Sequence, residues 1–110
     1  MKIFASLRIA NRARQAEWDI GNKIGLAYRG NELAGEAGEA CNVIKKLARE
    51  RMGIDGSRAT VDQLAEELAD VVICADLIAM DEGIDLDAAI RRKFNATSAK
   101  VGLKTRMADQ

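Results

Sequence analysis

Residues 31–51 read NELAGEAGEACNVIKKLARER. Leu33, Ala37, Ala40, Ile44 and Leu47 recur at alternating steps of four and three, the spacing that lines one face of an α-helix. The pattern predicts a helix over 32–51. Asn31 stands where an N-cap belongs, and Lys45, Lys46, Arg49 and Arg51 supply the cations favoured at a helix C-terminus. Gly53 and Gly56 then mark a loop.

The flanking segments read the same way. A third helix starts after Thr60, where Thr60-x-x-Gln63 forms a capping box, and carries Leu64, Leu68, Val71, Ala75 and Ile78 to its end at Gly83. Asp85 caps a fourth helix over 86–101. Upstream, residues 6–18 form a first helix with Leu7, Ala10, Arg14 and Trp18 loosely in phase. It is broken by Asp19, Gly21, Asn22 and Gly25, and a connector containing Tyr28 follows. Short connections favour antiparallel neighbours, so the expected architecture is an all-α, compact four-helix bundle. One domain over 1–110 accounts for the length: an N-terminal helix and connector (1–30), core helices (31–101) and an irregular tail (102–110).

Composition agrees with helices. Proline is absent and aromatics make up 4%, so the residues that strands prefer are scarce. The 17 basic and 17 acidic side chains cancel, which removes the strongly basic footprint of a nucleic-acid binder. Acids dominate 32–39 and 66–70, while 91–106 is basic, a separation suited to holding cations with phosphates beside them. No histidine is present, which excludes Ser-His-Asp and Cys-His nucleophile pairs and His-based zinc sites. Cys41 and Cys74 form no disulfide framework or metal-binding spacing and read as reduced side chains within helices. No apolar run reaches spanning length, and 1–10 lacks a signal-peptide core, so no membrane association and a cytoplasmic location are expected. A domain this small buries a limited share of its surface alone, and a leftover apolar face would favour a partner subunit.

One internal echo carries the chemistry. Leu33-Ala34-Gly35-Glu36-Ala37-Gly38-Glu39 and Leu64-Ala65-Glu66-Glu67-Leu68-Ala69-Asp70 both read Leu-Ala-x-Glu-x-x-acid, on consecutive helices. At about 100° per residue, Glu36 and Glu39 lie roughly 60° apart on one side of their helix, with Glu32 between them in projection. Both acid pairs border their apolar stripes, so packing the stripes brings them to one seam. Four carboxylates converging there repel, because each loses water and meets like charges. Hard divalent cations with oxygen ligands are the fitting counter-charge, Mg²⁺ above all, since it keeps waters and accepts phosphate oxygens. Gly35 and Gly38 each weaken the helix by about 1 kcal/mol relative to Ala. Beside the acids they would clear room for a ligand or a close-packed helix. The competing reading is plain surface solvation, since Glu-x-x-Glu is common on exposed helices.

With these residues in place, Glu36-x-x-Glu39, 27 intervening residues, and Glu67-x-x-Asp70 resemble the metal-binding motif of MazG-like all-α nucleoside triphosphate pyrophosphohydrolases. The flanking residues 31–40 and Leu68-Ala69-Asp70-Val71-Val72 are similar too, as are the later Lys93-Phe94-Asn95 and Arg106. The resemblance spans roughly 31–107 and implies hydrolysis of a (deoxy)nucleoside triphosphate to monophosphate and pyrophosphate. It implies Mg²⁺, or Mn²⁺ in its place, and a homodimer or homotetramer. A lean toward purine deoxynucleotides, dGTP or dATP, comes from general similarity to short members of the family.

On this reading Glu36, Glu39, Glu67 and Asp70 are the metal ligands and the catalytic carboxylates, with one glutamate also orienting or deprotonating the attacking water. Glu32 is a further candidate. For the substrate, Lys93 and Asn95 are candidates for phosphate or sugar, with Lys46 and Arg106 as alternatives; each also reads as solvated or helix-end charge. Trp18 either stacks on a base or packs in the core. Asn11 and Gln15, four residues apart on the same helix, are candidates to read base edges. Two rival readings stay open: a catalytically silent helical adaptor dimer, and a phosphohydrolase of nucleoside diphosphates or phosphorylated metabolites.

Overall fold

The computed structural model describes residues 3–108. All regular structure among them is helical, with no strand: α1 (Ile3–Trp18), α2 (Leu26–Arg51), α3 (Val61–Asp81) and α4 (Leu86–Lys100).

The helix ends follow local chemistry. At the start of α3 the Thr60 side chain accepts from the Gln63 amide at 3.1 Å, and the Gln63 side chain accepts from the Thr60 amide at 2.8 Å. The expected capping box is present. Asp85 caps α4 by accepting from the Ala88 amide at 3.1 Å. α3 closes on Gly83, at φ +68°, with Gly83 N–H donating to the Met80 carbonyl and Ile84 N–H to that of Ala79. This is the paired Schellman pattern, in which the left-handed position favours glycine.

The start of α2 differs from expectation. The helix begins at Leu26, its N-cap is an extended Gly25 without a side-chain cap, and Asn31 lies exposed within it. The reason is tertiary. Arg29, only 4% exposed, donates from Nε to Asp81 Oδ2 at 2.9 Å and from Nη2 to Gln15 Oε1 at 3.2 Å. These bonds knit α2 to α3 and α1 and offset the helix penalty of Gly30, about 1 kcal/mol. The preceding turn is set by Asp19, whose carboxylate accepts from the Ile24 and Lys23 amides at 2.9 and 3.0 Å. Those two bonds hold its carboxyl below the usual aspartate range. The tail after α4 has no regular structure, yet it is pinned: Asn95 Nδ2 donates to the Met107 carbonyl, and Asn95 Oδ1 accepts from the Met107 amide at 2.7 Å.

α3 is the central element. α2 lies along it, α1 crosses it, and α4 rests on α1. α3 packs against both α2 and α1, and its buried residues (Cys74, Asp76, Leu77 and Ala79) all lie off the stripe read from periodicity, whose members are at most half-buried. Leu68, a member of that stripe, is instead 50% exposed. The core is completed by Ala40 and Leu47 of α2.

The expected compact bundle does not close within one chain. The radius of gyration is 17.2 Å, against about 13 Å for a compact domain of this length. α2 and α4 share no extensive contact, and Ile44, Leu68, Val72, Phe94 and Val101 remain largely exposed. Closing the bundle would need α4 to cover the apolar side of α2, and α4 sits on α1 instead. No helix among the described residues is long and apolar enough to cross a membrane.

Candidate metal centre and adjoining pocket

Packing α2 along α3 brings the two acid pairs to one seam, as the helical phase requires. Glu36 of α2 and Glu67 and Asp70 of α3 each offer a carboxylate oxygen, and these three atoms lie within 4.8 Å of one another. Glu39 is more exposed and stands outside this tightest set, within hydrogen-bonding reach of Glu36 and Glu67. Glu36 and Glu67 are half-buried, and each has one oxygen, Oε2, shut away from water without a hydrogen-bond partner. A buried acceptor left unpaired is costly and rare. Two of them facing one seam fit a donor set for a hard cation, whose ligands are deprotonated oxygens.

The electrostatics point the same way. Burial pushes both the Glu36 and the Glu67 carboxyl above the ordinary value, and the neighbouring acids, Glu39 foremost, push them further. Such groups bind a proton more tightly in the folded chain than in the unfolded one, where the ordinary value is 4.5. Between the two values the folded state carries more protons, so stability falls as pH rises through that window. The metal-free protein should therefore melt at a higher temperature as pH is lowered from neutral toward that ordinary value. Asp19 acts oppositely, but only below 3.8. Circular-dichroism melts in chelator would check this, and a Tm that climbs with pH across the window would refute repulsion at the seam.

Beside the acids opens a pocket of about 290 Å³. Glu32, Glu36 and Asp70 line it, together with Gln15, Trp18 and Tyr28. Trp18 is 76% exposed and Tyr28 58%, so neither packs in a core and both stand at the rim. Glu32 accepts from the Cys74 thiol at 3.6 Å; burial and this carboxylate raise that thiol to about 11, which keeps it neutral. A Cβ at Gly35 or Gly38 would meet nothing within 4 Å, so the space beside the acids is open within the chain and no helix is close-packed there.

The remaining expected site residues divide. Gln15 and Trp18 join the pocket. Asn11 does not: it is 1% exposed, and its amide donates to Asp76 Oδ2 at 3.0 Å and to the Ile73 carbonyl at 3.4 Å. It ties α1 to α3, so its expected role at a base edge is corrected. Asn95 is likewise committed, to the tail at Met107. Arg106 donates to its own neighbours' carbonyls at Leu103 and Thr105, and Lys93 is exposed on α4. Lys46, ten residues beyond Glu36 in α2, is displaced from it by about 15 Å of helix. None of these four lines the pocket, so the basic run of 91–106 is not joined to the acids within one chain. Sequence reasoning missed Tyr28 and Arg29 because it placed both in a connector; an aromatic and a cation spaced as helical neighbours of Glu32 were the available signal. No protein-family model, curated protein or solved structure matches this chain.

Proposed function

We propose that this chain is a metal-dependent (deoxy)nucleoside triphosphate pyrophosphohydrolase of the MazG-like type, working as a homo-oligomer. The observation that carries the reading is the pair of buried, partnerless oxygens, Glu36 Oε2 and Glu67 Oε2, on facing helices beside Asp70. Together with Glu39 these residues would hold Mg²⁺ or Mn²⁺. Bound there, such cations neutralise phosphate charge and lower the pKa of a water, supplying a nucleophile without histidine.

The chain's own residues do the rest. Glu36, Glu67 and Asp70 would fix the triphosphate's position through the cations they would hold. Glu39, the exposed glutamate of the four, would orient the attacking water and accept its proton. Trp18 and Tyr28 offer exposed aromatic faces to a base in the pocket that the acids also line. The exposed apolar faces of α2, α3 and α4 and the open shape support pairing with a second copy, a course that would also place another subunit's basic run near the phosphates.

The test is a nucleotide panel with Mg²⁺ in which monophosphate and pyrophosphate are both measured, with light scattering on the same sample. Equal release of the two products from at least one triphosphate, by a species no smaller than a dimer, is the expected result. Release of inorganic phosphate would favour a diphosphate or metabolite phosphohydrolase. Indifference of both turnover and stability to Mg²⁺ would favour a silent adaptor.

A further inference from the structure

Gln15 is half-buried in α1 and lines the pocket next to the acids, three residues before Trp18 and so on the same face of the helix. Its side chain is not free to present either end. Arg29, 4% exposed and anchored by its Nε to Asp81, points Nη2 at Gln15 Oε1, 3.2 Å away. A guanidinium carries donors and no acceptor, so only the amide oxygen can face it. The amide NH₂ finds no acceptor among the described residues, and it is the end left for whatever fills the pocket.

We infer that Gln15, held by Arg29, reads the base as a hydrogen-bond donor and selects nucleotides carrying an oxo group over those carrying an amino group at the same ring position. The inference rests on the proposed nucleotide site and deepens it. With the phosphates at the acids and the base against Trp18, the base edge is the part within reach of a side chain one turn away. Natural bases exchange an acceptor for a donor at one position on that edge: guanine against adenine, and uracil against cytosine. An amino group there sets two donors against each other, and the amide, stripped of water by the base, then gains no partner in exchange. Arg29 is the positioning residue. Its guanidinium lies behind the amide and sets which end is shown, while its pairing with Asp81 keeps it from swinging away.

The experiment compares dGTP with dATP and dUTP with dCTP, by kcat/KM with Mg²⁺ and by quenching of Trp18, the single tryptophan, which reports binding whether or not hydrolysis occurs. The wild-type protein should favour the oxo member of each pair by about ten- to hundredfold. Gln15→Ala should bring both ratios toward one, with the change falling on KM more than on kcat. Gln15→Glu should reverse them, since a carboxylate facing Arg29 shows an acceptor to the base. Arg29→Met should flatten the ratios by freeing the amide to turn, and Arg29→Lys, which keeps a donor behind it, should restore them in part. Asp81 is 30% exposed, so it stays hydrated when Arg29 is replaced and the fold survives. Ratios near one in the wild-type protein, or ratios unmoved in Gln15→Glu, overturn the inference. Quenching that shows the oxo preference without any pyrophosphate release would sustain it and defeat the enzymatic reading instead.

Discussion

Glu36→Gln should abolish pyrophosphate release and, in the absence of metal, raise the melting temperature. The two effects have one cause. In the metal-free chain Glu36 is pushed toward its neutral form by burial and by Glu39, Asp70 and Glu67, so its charge opposes folding near neutral pH. A glutamine keeps the shape, removes one like charge, and gives the buried position a donor that can reach a neighbouring carboxylate. With Mg²⁺ present the order should invert. A cation bound to the folded state alone stabilises it by mass action, and the variant has lost a charged ligand. Turnover should fall by roughly 10³-fold or more, since even the outer partners of metal ligands cost 10- to 100-fold when lost. Asp70→Asn should behave alike in turnover. Thermal melts with and without Mg²⁺, alongside product assays, separate this from simple misfolding. A Glu36→Gln protein that melts lower than wild type in chelator, or keeps near-normal turnover, removes the metal centre from the reading.

That seam was legible in the residues because it depends on helical phase and on nothing else. Glu36, Glu39, Glu67 and Asp70 each border an apolar stripe, and packing α2 along α3 on that side brings them together even though Ile44 and Leu68 of the stripes stay exposed. The ends of α3 and α4 were legible for a related reason: Thr60 with Gln63, Gly83 and Asp85 act within a turn of themselves. What could not be read lies in pairings across long separations. Asn31 looks like a cap, yet the helix starts five residues earlier because Arg29 meets Asp81, 52 positions away. Asn11 looks like a reader of bases, yet it is buried against Asp76 on α3, 65 positions on. Trp18, open to packing or stacking on its sequence alone, is decided by where α1 crosses α3, which leaves its ring in solvent at the pocket rim. The same crossing leaves α4 on α1 and the bundle open, which no count of loop lengths foretells.

Asp76→Ala should be the most destabilising single change in the chain. Asp76 is 0% exposed in the C-terminal half of α3, accepting from Arg8 Nη2 at 2.9 Å, Arg8 Nε at 3.1 Å and Asn11 Nδ2 at 3.0 Å. Truncating it leaves the amide of Asn11, itself buried, with only its 3.4 Å bond to the Ile73 carbonyl, and leaves Arg8, at 19% side-chain exposure, with one carbonyl bond to Ile84. Breaking a buried ion pair from one side costs about 3–5 kcal/mol. Against a typical total of about 5–15 kcal/mol for a domain, that is a large share. The loss should not fall evenly. α1 is fixed to α3 largely through Arg8 and Asn11, and to α2 through the Arg29–Gln15 bond, so α1 should detach first, as a local unit, while α2 and α3 stay paired. Hydrogen exchange should then show α1 amides losing protection ahead of those in α3, with nucleotide binding weakened in step because Gln15 and Trp18 leave with α1. Asp76→Leu combined with Arg8→Met and Asn11→Leu should recover much of the stability, since a well-packed apolar trio replaces a buried charge pair at little net cost. Urea unfolding of the single and triple variants decides it. A single Asp76→Ala variant within about 1 kcal/mol of wild type, or a loss of protection that begins in α3, would show that α1 is held by something other than this network.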